Sequence, residues 1–258
     1  MPSYSAAMSQ DVKPPLAGKT VLITGAARRI GATIAQTLHD AGANLVLHYR
    51  SSVSEATELA ASLDQRRRGS VATVQADLLN TAKLPALVKS ATQAFGQLDM
   101  LINNASTFYP TAMGEITEHA WDDLLGSNLK APLFLSQAAA PALRLAHGQI
   151  LNIVDIHGMR PLRRYPVYSV AKAGLIMLTK ALARELAPLI RVNAVAPGPV
   201  MWPDDANDEL KHKIIDRTLL KRPGSSEDIA RAVLYFASQA PYVTGQILAV
   251  DGGRSVGW

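Results

Sequence analysis

Tyr168 and Lys172 stand four residues apart and can do proton chemistry together. They lie at the start of an apolar-periodic stretch, Ala171–Leu186, with helical spacing. A short apolar run, Ile150–Val154, precedes them and has the length of a buried strand. In the first turns of one helix they would share a face, separated by a rise of about 6 Å. Ionising a free phenol at pH 7 costs roughly 4 kcal/mol. An ammonium about 4 Å away, at an effective dielectric near 20, supplies a term of about that size. The pair is therefore a candidate proton donor, with Lys172 lowering the Tyr168 pKa. Two common residues at this spacing are also met by chance, so the weight falls on the parts around them.

Those parts follow in order. Lys19–Thr24 reads as a strand running into Gly25-Ala26-Ala27-Arg28-Arg29-Ile30-Gly31, and Ile30–Ala41 has helical spacing up to Gly42. A strand, a glycine turn and a helix form the context in which backbone N–H groups hold a pyrophosphate at a helix N-terminus. Asn44–Tyr49 is the next strand. A site for a nicotinamide dinucleotide without a 2′-phosphate would place an acid near its end, but the chain has His48-Tyr49-Arg50-Ser51-Ser52. Arg50 can pair with a 2′-phosphate and Ser51 can donate to it, so the expected cofactor is NADPH.

Val53–Arg68 is expected to be a helix and Val71–Gln75 a third strand, followed by Asp77 and Leu78. Asp77 either accepts from an adenine amino group or caps the next helix near Thr81. Leu84–Phe95 is a helix, Met100–Ile102 ends a fourth strand, and Asn103-Asn104-Ala105-Ser106-Thr107-Phe108-Tyr109-Pro110 follows. A long helix, Thr117–Leu145, is bent or broken at Pro132. Asn128 sits within it among apolar neighbours, as a structural hydrogen-bonder or as part of a proton relay. The fifth strand ends at Asp155. Val192–Val195 is a strand leading to Pro197 and Gly198, Ser225–Ser238 is a helix with a Ser-Ser-Glu-Asp cap, and Gln246–Val250 is a seventh strand. Strands alternating with helices imply an α/β fold of the Rossmann type, a doubly wound parallel seven-stranded sheet with helices on both faces. Residues 1–17 read as a flexible leader and 18–258 as one NADP-binding domain.

The composition fits that reading. The 258 residues are 48% hydrophobic and 18% charged, as in a globular chain. There are no cysteines, which excludes disulfides, thiolate metal sites and Cys nucleophiles; no metal is expected. No apolar run has membrane-spanning length and the first residues lack a signal-peptide pattern, so a cytoplasmic location with no membrane partner is expected. The net charge is +5. Its densest basic run, Arg66-Arg67-Arg68, has no interleaved aromatics and reads as a solvated helix end, not as a nucleic-acid surface.

With these residues in view, the chain resembles the short-chain dehydrogenase/reductase family from about Leu16 to Gly253. The resemblance rests on the Thr24-Gly25 turn, Asn103-Asn104-Ala105, Asn128, Tyr168 with Lys172, and Pro197-Gly198. It implies a catalytic Tyr168, a Lys172 that binds the nicotinamide ribose and lowers the Tyr pKa, an Asn128 that supports a water relay, and a homotetramer. Three positions depart from the general pattern: Arg29 and Ser106 stand where it has Gly, and Asp155 where it has Ser. All three match one branch, the pteridine reductases, as do HYRSS at 48–52 and NNASTFYP at 103–110. The implied cofactor contacts are Gly25, Arg29, Ile30, His48, Tyr49, Arg50, Ser51, Asp77, Leu78, Asn104, Ala105, Ser106, Tyr168, Lys172, Pro197 and Gly198.

The chemistry agrees with that branch. Asp155 can accept hydrogen bonds from the amino edge of a pterin, and beside Tyr168 it would raise the phenol pKa against Lys172. Phe108 offers a face on which a flat pterin can lie. Arg29 can reach cofactor phosphates and a pterin acceptor, Ser106 can bond either, and Tyr165 lines the pocket by analogy with the family. The expected reaction is NADPH-dependent reduction of a dihydropterin or folate, with a proton from Tyr168 or from water near Asp155. Arg163-Arg164 either meets an acidic substrate tail or forms a solvated loop pair. Trp202 is expected to close over the substrate, and the tail 254–258 to reach a neighbouring subunit. The alternatives are a carbonyl or quinone reductase of the same fold and a non-catalytic NADP-binding regulator.

Overall fold

The computed structural model describes residues 13–200 and 207–257. Seven strands form one parallel sheet in the order β3-β2-β1-β4-β5-β6-β7. They are β1 (Thr20–Ile23), β2 (Asn44–Tyr49), β3 (Val71–Gln75), β4 (Met100–Asn103), β5 (Gln149–Ile153), β6 (Arg191–Pro197) and β7 (Ile247–Val250). The helices between them are α1 (Arg29–Asp40), α2 (Val53–Arg66), α3 (Leu84–Phe95), α4 (Glu118–Leu125), α5 (Ala131–Leu145), α6 (Pro166–Leu186), α7 (Asp208–Asp216) and α8 (Ser226–Ser238).

The strands are apolar on both sides because helices cover both faces. Side chains alternate across the sheet. Val21, Ile23, Leu45 and Leu47 pack on one face with Ile34 and Leu38 of α1, Leu59 of α2, and Val233 and Phe236 of α8. Leu22, Val46, Leu101 and Ile150 pack on the other with Leu87 of α3, Leu135 and Leu143 of α5, and Leu186 of α6. The strand order reverses between β1 and β4, each a neighbour of the other. That switch point, at the carboxyl ends of the strands, is where such sheets bind ligands.

Four local expectations change. Leu16 was placed in the leader, but it is 3% exposed and its N–H donates to the Ala41 carbonyl at 2.8 Å, so residues 14–17 belong to the domain. Residues 1–12 lie outside the described residues. The long helix over 117–145 is two helices joined by a π turn, Gly126–Lys130, and Pro132 sits in the first turn of α5. Arg67 is not a solvated helix end. It is partly buried and donates to the carbonyls of His39 and Ala43, tying the end of α2 to the α1–β2 connection. Helix α7 was not anticipated: it has no buried residue, so its apolar stripe is faint.

Candidate active site

The switch point opens into a cleft of about 510 Å³. Its wall includes Gly25, Arg29 and Ile30 from the first turn, His48, Tyr49, Arg50 and Ser51 from the end of β2, Asp77 and Leu78 from the end of β3, and Asn104, Ala105, Ser106 and Phe108 after β4. Thirteen expected contacts thus share one surface, because parallel strands end together on one side of the sheet. Trp202 lies outside the described residues. Pro197 and Gly198 are not part of this wall: Gly198 N–H donates to the Val250 carbonyl at 3.0 Å, holding the end of β6 to β7.

The glycine-turn end, expected to take the nucleotide, is held by bonds between side chains and backbone. Thr24 Oγ1 accepts the N–H groups of Asn104 (2.9 Å) and Ala105 (3.0 Å), while Asn104 Nδ2 donates to the carbonyls of Thr24 and Gly25. The Asn104 amide therefore holds the two ligand loops together. Gly25 has φ +61, and a Cβ there would stand 3.0 Å from the Ala105 Cα, so only glycine fits without a shift. Helix α1 has neither a side-chain cap nor an acid in its first turn. A helix N-terminus without a side-chain cap and the exposed cations Arg28, Arg29 and Arg50 suit an anionic cofactor. Arg29 adopts φ +53, a left-handed conformation that favours glycine. Asp77 Oδ1 accepts the Leu79 N–H at 3.0 Å, so it closes a local turn while its residue lines the cleft.

His48 is 1% exposed. Gly25 N–H donates to its Nδ1 at 3.3 Å, and its Nε2–H donates to the Ala76 carbonyl at 3.1 Å. Burial pushes its pKa down to about 4, so the ring is neutral and clamps the glycine turn to the end of β3.

At the chemical end, Pro166 starts α6 and places Tyr168 and Lys172 in its first two turns, as their spacing requires. The Tyr168 hydroxyl donates to Asp155 Oδ2 at 2.8 Å, and Asp155 Oδ1 accepts the His157 N–H at 2.7 Å. Phe108 joins this end to the cleft: its ring stacks on Tyr165 at 4.6 Å and meets Tyr168 edge-on at 4.8 Å. Asp155, Tyr165, Tyr168 and Lys172 are not part of the cleft wall, which meets Tyr165 and Tyr168 through Phe108.

The electrostatics differ from the simple phenol–ammonium pair. Tyr168 is raised well above its ordinary value, first by burial, then by the Asp155 carboxylate, against a hydrogen bond from Ser106. Lys172 does not hydrogen-bond the phenol. It donates to the Ile153 carbonyl at 3.0 Å, and its Nζ lies 5.7 Å from the Tyr168 ring centroid. Burial lowers Lys172 to about 8, against the opposing pull of Asp155. Asn128, fully buried in the π turn, donates from Nδ2 to the carbonyls of Leu124 and Thr107 and accepts from Ser106 Oγ at 2.6 Å. Its side chain is satisfied by protein groups and stabilises the turn, tying it to Ser106 and Thr107 of the loop after β4.

Sequence reasoning missed Thr107 and Ser127, which line the cleft and bond to each other at 2.6 Å. Ser127 falls inside an expected helix, and only the π turn aims it at the cleft. The clamp by Thr24 was also missed, although the Thr-Gly turn was its signal.

A family model described as enoyl-(acyl carrier protein) reductase matches residues 25–255. The chain belongs to the short-chain dehydrogenase/reductase family. Pteridine reductase 1 of Leishmania tarentolae is 37% identical over 279 residues, covering 91% of this chain and 96% of that protein. The 3-oxoacyl-[acyl-carrier-protein] reductase FabG of Staphylococcus aureus is also 37% identical, over 240 residues, covering 91% and 97%. An uncharacterized oxidoreductase of Methylorubrum extorquens is 35% identical over 245 residues. This short-chain reductase is therefore an NAD(P)H-dependent oxidoreductase, and identity does not separate its pteridine-reducing relative from its ketoacyl-reducing one.

Proposed function

We propose that this short-chain reductase uses NADPH to reduce dihydropteridines to tetrahydropteridines. The observation that carries the reading is the Asp155 carboxylate hydrogen-bonded to Tyr168 at 2.8 Å, beside the Phe108 ring. A hydroxyl at position 155 would suit a carbonyl substrate; a carboxylate suits an amino-substituted ring edge. The exposed Arg50 and Ser51 after β2, with no acid at the strand end, support NADPH over NADH.

When bound, the nicotinamide supplies the hydride to the imine carbon of the substrate. The chain's own groups do the rest. Phe108 and Asp155 orient the flat ring. Tyr168 holds the proton, and donates it to the adjacent ring nitrogen once the substrate's amino group engages Asp155. Lys172, charged below about pH 8, offsets the negative charge left behind. The assembly partner on this reading is further copies of the same chain, since Leu133 and Phe134 of α5 and Val170 and Met177 of α6 are exposed apolar side chains. The expected location is the cytoplasm.

The test is NADPH oxidation with purified protein on dihydrobiopterin and on an acetoacetyl thioester, with NADH as control. Turnover of dihydrobiopterin with NADPH preferred is the expected result. Turnover of the thioester alone would assign the site to carbonyl reduction.

A further inference from the structure

Arg163 and Arg164 lie in the loop between Asp155 and Tyr165 and have no part in the chemistry above. Both are exposed, and neither is engaged in an ion pair among the described residues. Hydrogen bonds pin the loop to the site. Thr111 N–H donates to the Arg164 carbonyl at 2.7 Å, Tyr165 N–H to the Leu162 carbonyl at 3.1 Å, and Leu162 N–H to Ser169 Oγ at 3.2 Å. Thr111 follows the segment that carries Phe108, and the residue after Arg164, Tyr165, stacks on Phe108 with centroids 4.6 Å apart. The two cations therefore spring from the rim beside the ring-binding face.

Arg164 also adopts φ +72. Glycine enters that region freely, whereas a side chain is strained there. A backbone position suited to glycine holds a long cation at the mouth of the site.

We propose that Arg163 and Arg164 form a subsite for a carboxylate-bearing tail on the substrate. The inference rests on the dihydropteridine reading and narrows it: the ring lies against Phe108 and Asp155, and the tail leaves past Tyr165 to meet the guanidinium groups. Guanidinium recognises carboxylate through paired hydrogen bonds. Because both arginines are exposed, the contribution is modest and weakened by salt.

The experiment compares wild type, the double variant Arg163→Gln/Arg164→Gln, and Arg164→Gly with NADPH on dihydrofolate, which carries an acidic tail, and on dihydrobiopterin, whose tail is short and neutral. Arg164→Gly keeps the loop, because φ +72 suits glycine. The double variant is expected to raise KM for dihydrofolate about three- to tenfold with kcat nearly unchanged. Arg164→Gly gives a smaller rise, and neither variant changes KM for dihydrobiopterin. The advantage of wild type shrinks as salt rises. Equal KM values for dihydrofolate across the three proteins would overturn the subsite while leaving the ring reading intact. Failure of wild type on both dihydropteridines would remove the ring reading, and the subsite with it. A thioester on acyl carrier protein whose turnover falls in the double variant, with dihydrofolate unaffected, would give the loop to an acidic protein and overturn the proposal.

Discussion

At the nucleotide end of the cleft the groups on offer are backbone N–H donors of a glycine turn and exposed cations; at the chemical end they are buried, titratable side chains. Arg28, Arg29 and Arg50 face solvent, and α1 begins without a cap. Helix α8, on the same face of the sheet, begins with a full capping box between Ser225 and Asp228. The bare end is the one at the cleft, where a ligand's phosphates can do the capping. At the chemical end, Tyr168 and Lys172 are 4% and 2% exposed, and burial shifts both away from their charged forms. One end offers exposed groups in water and can be changed piecemeal. The other works through coupled groups out of water, where removing one member disturbs all.

That difference sets the size of the effects. Tyr168→Phe removes the proton donor and should lower kcat about 100- to 10,000-fold, while NADPH binding, followed by nicotinamide fluorescence, stays close to wild type. A comparable loss of cofactor binding would show that the two ends are not separable.

His48 is the buried titratable group of the nucleotide end, and its pKa falls from 6.5 to about 4 on folding. The unfolded chain therefore takes up a proton below pH 6.5 that the folded chain refuses until about pH 4. Stability is lost as pH falls through that window, by up to roughly 3 kcal/mol. Denaturant unfolding at pH 7 and pH 4 should show wild type losing this much more than His48→Gln. Parallel losses would mean that the imidazole is not held neutral.

The smallest effect belongs to the exposed cation. Arg50→Glu should lower the preference for NADPH over NADH about tenfold, with kcat for the preferred substrate little changed. An unchanged ratio would leave Arg50 as an ordinary surface residue.

Much of the nucleotide end was legible because its signals are local: a strand, a glycine turn and a helix are contiguous, and Arg50 and Ser51 follow directly on β2. The chemical end was legible in its members but not in their balance. Four-residue spacing brought Tyr168 and Lys172 to one helix face, yet which carbonyl Lys172 meets depends on how β5 packs beside α6, which the spacing does not encode. The π turn was hidden for a similar reason. Asn128 replaces backbone bonds with side-chain bonds to Leu124 and Thr107, and only the packed loop after β4 supplies Thr107. Leu16 was misplaced because a single apolar residue between prolines and a glycine carries no periodic signal.

Asp155 carries the functional reading, so its replacement tests the account most directly. The measurement is the ratio of kcat/KM for dihydrobiopterin to that for an acetoacetyl thioester, with NADPH, in wild type and Asp155→Ser. The account predicts a ratio well above one in wild type that falls at least about tenfold in the variant, the weight of one charge-assisted hydrogen bond. An unchanged ratio, with dihydrobiopterin reduced equally well by both proteins, would contradict it.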